Sequence, residues 1–347
     1  MNQSTNHQTL TRRGMDLGCV SLDNAIPKRL EQTAILEAWK SHQAVHIPDY
    51  VAAALPAYQA DIAQAHAWME ATLGGTELMD YMEQHGYMQR LGDTFMVLAS
   101  SLEEHDEQAI EKLYVDVEEH EQRVAENLWC KASWLSFHDE DASLRFRFSW
   151  GMEGFEDVSA QPEQQAWAAE LCTRLFPESE VITKHPDLLT LLHTLLGHEP
   201  AFVERIVYFN APHGGAQFHH DVERGHAGVV YAQLSGETFW LAASKPVLMQ
   251  AMQDFAQQHE VSDELHSLLH DIPALSNYME EQDHEWVEQL MDCNPQFITY
   301  MVEQGFSHHL RAGDVLLLPQ KDLESCVWHS VFCLGDEPGE ALSFAIR

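Results

Sequence analysis

The sequence predicts an α+β fold whose core is a double-stranded β-helix, or jelly roll, with a helical N-terminal part and a helical insertion. Up to about residue 200, most apolar side chains recur at the spacing of helices. From residue 201 they alternate in short runs that Gly and Pro interrupt, which is typical of strands. One stretch of this second half, 247–306, returns to helical spacing. Many short strands broken by turns fit two packed antiparallel sheets.

Three regions follow from this change of pattern. Residues 1–20 are polar and predict a flexible tail, and residues 21–200 predict a mainly helical N-terminal region. Within it, an apolar stripe between 101 and 129 predicts one long amphipathic helix. Leu144–Trp150 alternates and predicts a strand that carries Arg145 and Arg147 on one face.

Residues 201–347 form the predicted jelly-roll core, with the helical insertion near the mouth of the barrel, where it would cover a substrate. The predicted strands of this core are 202–210, 216–222, 228–234, 238–242, 315–318, 326–333 and 341–346.

Composition restricts the partners and the compartment. The formal charge of −36 argues against nucleic acid and against anionic membranes, because both would repel the protein. The 6 cysteines are scattered without a C-x-x-C pair, so they indicate neither a zinc knuckle nor a disulfide framework. The first residues lack the apolar run of a signal peptide. We therefore expect a cytoplasmic protein, and a homodimer is one assembly that the sequence allows.

The candidate site is centred on His219, His220 and Asp221. If this stretch is extended, His219 and Asp221 point to one face and His220 to the opposite face. His329, in a second strand-like segment, supplies a third ligand. Two imidazoles and one carboxylate can form a facial triad, which leaves open positions on an octahedral metal and suits non-haem Fe(II). The main competing ligands are His220, which the alternation turns away, and His226.

The segments around these residues resemble a known family. HHD at 219–221, the following AQLSGETFWL, then GDVLLLP and WHSV are similar to the H-x-D, G, GD-x-x-x-x-P and W-H-x-V motifs of JmjC/cupin-like Fe(II)- and 2-oxoglutarate-dependent oxygenases. The resemblance covers 202–347. It implies a cupin-like jelly roll, Fe(II) held by His219, Asp221 and His329, and 2-oxoglutarate as co-substrate. It also implies a dioxygenase that hydroxylates or demethylates an amino-acid, peptide or small-metabolite substrate.

The anchor for 2-oxoglutarate departs from the family pattern. The family's usual Lys, two residues beyond the Gly that follows H-x-D, is Thr238 in this chain. The expected replacement is Arg347, whose guanidinium can bind a carboxylate bidentately, with Ser343 on the same strand face. Tyr208 and Asn210 border the site and are expected to reach the co-substrate. Weaker candidates for the cation are Lys245, Arg205 and Arg311.

The sequence is compatible with two other functions. Thr238 in place of the Lys is compatible with a non-haem iron oxygenase that does not use 2-oxoglutarate and whose substrate chelates the metal. A non-catalytic cupin-like binding module, with the acidic helical half as a protein-interaction surface, is the third possibility.

Overall fold

The computed structural model describes residues 7–25, 30–101, 108–135, 142–151, 161–223, 225–281 and 284–347. The strands in these ranges are β1 (His7–Arg12), β2 (Met15–Ser21), β3 (Val45–Ile47), β4 (Phe95–Ser101), β5 (Ala109–Glu119), β6 (Gln122–Trp134), β7 (Leu144–Trp150), β8 (Phe202–Asn210), β9 (Gly215–His219), β10 (Gly228–Gln233), β11 (Glu237–Ser244), β12 (Ser307–Arg311), β13 (Val315–Pro319), β14 (Val327–Leu334) and β15 (Gly339–Ile346). The α-helices are α1 (Gln32–Lys40), α2 (Leu55–Leu73), α3 (Leu78–Gln84), α4 (Tyr87–Leu91), α5 (Pro162–Leu175), α6 (Glu180–Thr183), α7 (Pro186–Leu196), α8 (Lys245–Ala256), α9 (Asp263–Leu269), α10 (Ile272–Tyr278), α11 (Glu285–Met291) and α12 (Pro295–Glu303).

The protein combines helices with large antiparallel sheets. A 9-stranded sheet has the order β3-β13-β10-β15-β8-β7-β6-β5-β4, and a 4-stranded sheet has the order β12-β11-β14-β9. Side chains from both sheets pack together, among them Tyr231 of β10, Trp240 of β11 and Val331 of β14. The two sheets therefore enclose a common interior.

Helices cover the outer faces of both sheets. On the large sheet, Trp68 of α2 packs against Phe146 of β7, with ring centroids 5.1 Å apart, and both side chains are fully buried. On the small sheet, Phe239 and Phe332 share a second core with the helices α8–α12. These five helices occupy the stretch predicted as a helical insertion, and β12 follows them as a strand that the sequence patterns did not predict.

The predicted helix at 101–129 is wrong. β5 and β6 occupy most of this stretch and pair with each other as a hairpin. The spacing of the apolar residues in this stretch fits a helix. However, Leu113, Val115 and Val117 also alternate with polar or aromatic residues, and all three are buried on one face of β5. His120 and Glu121, both with positive φ, form the turn between the strands. β-branched residues beside a turn decide such a case in favour of strands.

The prediction of a mainly helical region up to residue 200 is correspondingly wrong for the described residues of β4–β7. β4–β7 extend the sheet that contains β8, so this part continues the core sheet. β7 pairs directly with β8 and places Arg145 opposite Tyr208 and Arg147 opposite Ile206. The N-terminal half therefore contributes side chains to the same sheet face as the core.

The prediction of a flexible tail at residues 1–20 is wrong for the described residues from 7 onward. β1 and β2 form an antiparallel hairpin that packs on α12 and β14. Leu10, Leu17 and Val20 are buried, with at most 2% of their surface exposed. Polar residues make up most of the sequence between them, so the pattern resembled a tail.

A pair of carboxyl groups is buried under the helices of the large sheet. Glu178 follows α5, and Glu340 lies at the start of β15. Their exposed fractions are 1% and 0%. Burial raises the pKa of Glu178 to about 7. Burial together with the charge of Glu178 raises the pKa of Glu340 well above its usual value.

Candidate metal centre

The site forms where β9 and β14 pair. His219, the last residue of β9, lies directly opposite His329 in the register of the two strands. At the other end of β9, Gly215 has φ of +138°, and a Cβ there would stand 2.0 Å from the carbonyl oxygen of Val331. Only glycine permits this close approach of the two backbones. The sequence thus brings two distant imidazoles together through a single strand pairing.

His219, Asp221 and His329 converge as the sequence reasoning expected them to. The Nε2 atoms of His219 and His329 lie 3.7 and 3.5 Å from the two carboxylate oxygens of Asp221. One potential ligand atom from each residue lies within 4.8 Å of the others. Asp221 stands just beyond the end of β9, so the strand is shorter than predicted although the alternation of side chains continues.

Hydrogen bonds fix which ring nitrogen each histidine presents. The Nδ1 of His219 lies 2.7 Å from the carbonyl oxygen of Gln217, and the Nδ1 of His329 lies 3.5 Å from that of Val327. An Nδ1–H that donates to a carbonyl leaves the lone pair on Nε2. Both Nε2 atoms then face Asp221 as acceptors, which is the orientation that metal ligation requires.

The charge states also suit a cation. Burial, reinforced by the ring of His219, lowers the pKa of His329 to about 3, so this ring is neutral near pH 7. Burial raises the pKa of the Asp221 carboxyl, but the surrounding imidazoles, led by His329, lower it more and hold it below its usual value. Neutral imidazole and ionised carboxylate are the forms that bind metal.

His220 points away from this centre. Its Nε2 lies 2.9 Å from a carboxylate oxygen of Glu280, and its Nδ1 accepts the backbone N–H of Val222. The other oxygen of Glu280 accepts from the buried ammonium of Lys245 at 2.5 Å. His220 therefore connects the loop between the two candidate ligands to the helical insertion.

β9 is held from the opposite side by a buried ion pair that the sequence reasoning missed. Arg12, fully buried, lies 2.7 Å from Asp292, which is 1% exposed. The guanidinium also donates to the carbonyl of Ala216, and Asp292 accepts the backbone N–H of Phe218. Both ends of β9 are thus fixed by residues from β1 and from the end of α11. Arg12 lies in the segment predicted as a flexible tail, and nothing in the sequence around it indicated this contact.

The three candidate ligands line a cavity of about 500 Å³ between the sheets. Ser343, Tyr208 and Asn210, which were expected to contact the co-substrate, also lie on its wall. Trp240 closes one side and stacks on His329 with ring centroids 5.2 Å apart.

Arg347 and Thr238 lie away from the cavity that the three candidate ligands line. Neither lies among the described residues that line the cavity. Thr238 is fully buried and donates to the side-chain oxygen of Gln233, while Arg347 follows the last residue of β15 and pairs through its backbone with Ala201. Alternation along a strand predicts a face but not how far the cavity extends along it.

The other cations named from the sequence also point elsewhere. Lys245 pairs with Glu280, and Arg311 lies near Glu237. Arg205 faces the helical layer, because it alternates with the cavity-lining Glu204 and Ile206 on β8.

Arginines do line the cavity, and two of them come from β7. Arg147 contacts Glu204 at 2.5 Å. Arg145 donates to two neutral oxygens, those of the Ser133 hydroxyl at 3.0 Å and the Gln108 amide at 3.3 Å. Among the described residues, no carboxylate forms an ion pair with Arg145. Its guanidinium is therefore a candidate for binding an anion from the cavity.

Comparison with known proteins gives distant structural similarity only. No family model matches the chain, and no curated protein matches it. A solved oxidoreductase of the 2OG-Fe(II) oxygenase family from Burkholderia pseudomallei is similar at a TM-score of 0.33 and 8% identity, with 93% of each chain covered. The ribosomal oxygenase YcfD from Escherichia coli is similar at a TM-score of 0.24 and 13% identity; the match covers 76% of this chain and 42% of YcfD. In the described residues, no helix is long and apolar enough to cross a membrane.

Proposed function

We propose that the protein is a non-haem Fe(II)- and 2-oxoglutarate-dependent dioxygenase that hydroxylates or demethylates an amino-acid, peptide or small-metabolite substrate. The observation that carries the proposal is the convergence of two Nε2 atoms and one carboxylate on the wall of a cavity. His219, Asp221 and His329 are the proposed ligands. Two neutral imidazoles and one carboxylate on one side of an ion match a facial triad.

The order of strands supports a double-stranded β-helix as the core. β8, β10, β13 and β15 lie in the large sheet, and β9, β11, β12 and β14 lie in the small one. Successive strands thus alternate between the sheets, except for the β11–β12 pair that brackets the helical insertion. This is the arrangement expected of a jelly roll in which β11 and β12, the fourth and fifth strands counted from β8, flank an insertion.

The donor set fits Fe(II) in chemistry as well as in number. Imidazole and carboxylate are ligands that divalent iron accepts, and three protein ligands leave positions for a 2-oxo acid and O2. When bound, the metal would supply oxygen activation that is coupled to the oxidation of the 2-oxo acid. The protein's part is to orient the ligands. Trp240 restrains the ring of His329, and the carbonyl of Gln217 restrains that of His219.

Arg145 is the proposed partner for the distal carboxylate of 2-oxoglutarate, in place of the expected Arg347. In the sheet it lies beside Tyr208, which in turn pairs with Ala341 of β15. Ser343 lies on the same face of β15, opposite Ile206. The guanidinium and nearby hydroxyls can bind a carboxylate together, and a planar guanidinium does so with two parallel hydrogen bonds.

Anaerobic titration with Fe(II) followed by 2-oxoglutarate tests the proposal. Chelation of the metal by the 2-oxo acid should give a weak charge-transfer band in the visible spectrum. Asp221→Ala should lack the band. Glu288→Gln is the matched control, because Glu288 is another carboxylate on the cavity wall but is not a proposed ligand, and this variant should retain the band. Absence of iron binding by the wild type would favour the non-catalytic binding module.

An iron oxygenase without 2-oxoglutarate is the second candidate. Thr238, at the position of the family's Lys, uses its hydroxyl within the protein and offers no cation to the cavity. Iron binding without the charge-transfer band would favour this function, in which the substrate itself chelates the metal.

A further inference from the structure

A second group of potential metal ligands lies beside the cavity, apart from the triad. Glu204, Glu223 and His226, here called the Glu204 cluster, each place one ligand atom within 4.8 Å of the others. Glu204 belongs to β8, while Glu223 and His226 belong to the loop between Asp221 and β10. Both carboxylates of the cluster line the cavity.

One ring nitrogen of the buried histidine in the cluster lacks a hydrogen-bond partner. Only 5% of the surface of His226 is exposed, and its Nδ1 has no hydrogen-bond partner among the described residues. Leaving a buried polar atom unpaired costs about 1–3 kcal/mol, so such atoms in native proteins usually have a partner. One ring nitrogen of His226 lies within 4.8 Å of a carboxylate oxygen of Glu204 and of Glu223, and a metal cation is a natural partner for such a group.

The carboxylates of the cluster carry more negative charge than the described cations balance. Arg147 contacts Glu204, but no ion pair links Glu223 to a described residue. Burial raises the pKa of Glu204 to about 7; Arg147 opposes this rise, and the nearby charges of Glu223 and Asp221 add to it by smaller amounts. A divalent cation would stabilise both carboxylates in their ionised form.

We propose that Glu204, Glu223 and His226 bind a second divalent transition-metal ion, distinct from the ion of the triad. One imidazole nitrogen and two carboxylate oxygens suit Mn(II), Fe(II) or Zn(II) better than Mg(II) or Ca(II), which prefer all-oxygen ligands. Water or a substrate group would complete the coordination.

Occupation of this site would also affect the triad. Glu223 and His226 follow Asp221 within the same loop, so a metal that joins them to β8 would restrain the backbone that carries the carboxylate ligand. Metal binding at one site should therefore change the affinity of the other, and by the same factor in both directions.

Titration with Mn(II) alone, under argon and followed by isothermal calorimetry, tests the second site. Wild type should bind two Mn(II) ions per chain, and His226→Ala or the milder Glu223→Gln should bind one. Asp221→Ala should also bind one, through the Glu204 cluster. Asp221→Ala combined with His226→Ala should bind none.

The matched control is His284→Ala, which removes another histidine from the cavity wall and should still bind two ions. A wild type that binds a single ion, lost in Asp221→Ala and unchanged in both His226→Ala and Glu223→Gln, would overturn the second site and leave the triad intact. Loss of one ion in Glu223→Gln but not in Asp221→Ala would instead contradict the triad.

Discussion

Arg12→Ala should destabilise the protein far more than the loss of a surface ion pair. The guanidinium is fully buried, contacts Asp292 at 2.7 Å and donates to Ser330 of β14 at 2.6 Å. Removing one partner of a buried ion pair leaves the other charge without compensation, which costs about 3–5 kcal/mol. Lost packing over the ring of Phe332, whose centroid lies 4.7 Å from the guanidinium carbon, adds to the loss.

Urea unfolding followed by tryptophan fluorescence measures this change in the free energy of unfolding. The control is Lys184→Ala, which breaks an exposed pair with Glu180 on α6 and should cost about 0.5 kcal/mol or less. Arg12→Met combined with Asp292→Asn should recover part of the loss, because no unpaired charge remains. A cost for Arg12→Ala equal to that of the control would refute the structural role of the hairpin.

The pH dependence of the same variant gives a second check. Burial raises the pKa of Asp292 above its usual value, and Arg12 opposes that rise. Without Arg12 the carboxyl should be more easily protonated, and a protonated carboxyl needs no cation. The destabilisation by Arg12→Ala should therefore be largest near pH 7 and shrink as the pH falls towards 4.

Three further predictions concern the metal, the co-substrate and the buried carboxyl pair. His219→Ala should abolish iron binding at the triad with the fold intact and leave only the ion of the Glu204 cluster, whereas His220→Ala should leave iron binding at both sites largely unchanged; equal loss in both variants, measured by metal analysis, would contradict the assigned ring orientations. Arg145→Ala should raise the dissociation constant of 2-oxoglutarate about ten- to a hundredfold in calorimetry with Mn(II) in place of Fe(II), and Arg347→Ala should not; the reverse result would restore the anchor expected from the sequence. Glu178→Gln should stabilise the protein at pH 8, since burial raises the pKa of Glu178 from 4.5 to about 7 and the charged carboxyl penalises folding increasingly over that interval. Below pH 4.5 both states are protonated, so thermal unfolding should show no gain there, and an equal gain at both pH values would contradict the burial of charge.

Strand positions in the core were largely predictable because Gly and Pro interrupt short alternating runs. The structure places β8, β10 and β15 within two residues of the predicted bounds. Contacts between distant segments determine the structure of the elements that the sequence patterns did not predict. The hairpin β5–β6 has a spacing that suits a helix as well, and its pairing with β4 and β7 stabilises the strands that its β-branched residues favour.

The site was predictable where local alternation determines it and not where distant segments meet. Alternation around His220 suffices to separate it from Asp221, and the structure keeps them apart. Whether the ligands hold iron stays a prediction. Arg145 reaches the cavity because β7 pairs with β8, and Arg12 reaches β9 because the hairpin packs on the small sheet. Neither contact can be recognised from the sequence of the segments that form it.

The hydrogen-bonded chain from Lys245 through Glu280 to His220 joins the helical insertion to the segment that carries the proposed metal ligands, so the insertion and metal binding should be thermodynamically linked. Any ligand that shifts the insertion should change the affinity for metal by some factor. Metal should then change the affinity for that ligand by the same factor. The backbone amides of α10, which directly precede Glu280, are the place to observe this linkage. Their hydrogen exchange should slow when Mn(II) is added to the wild type and should not respond in Glu280→Gln.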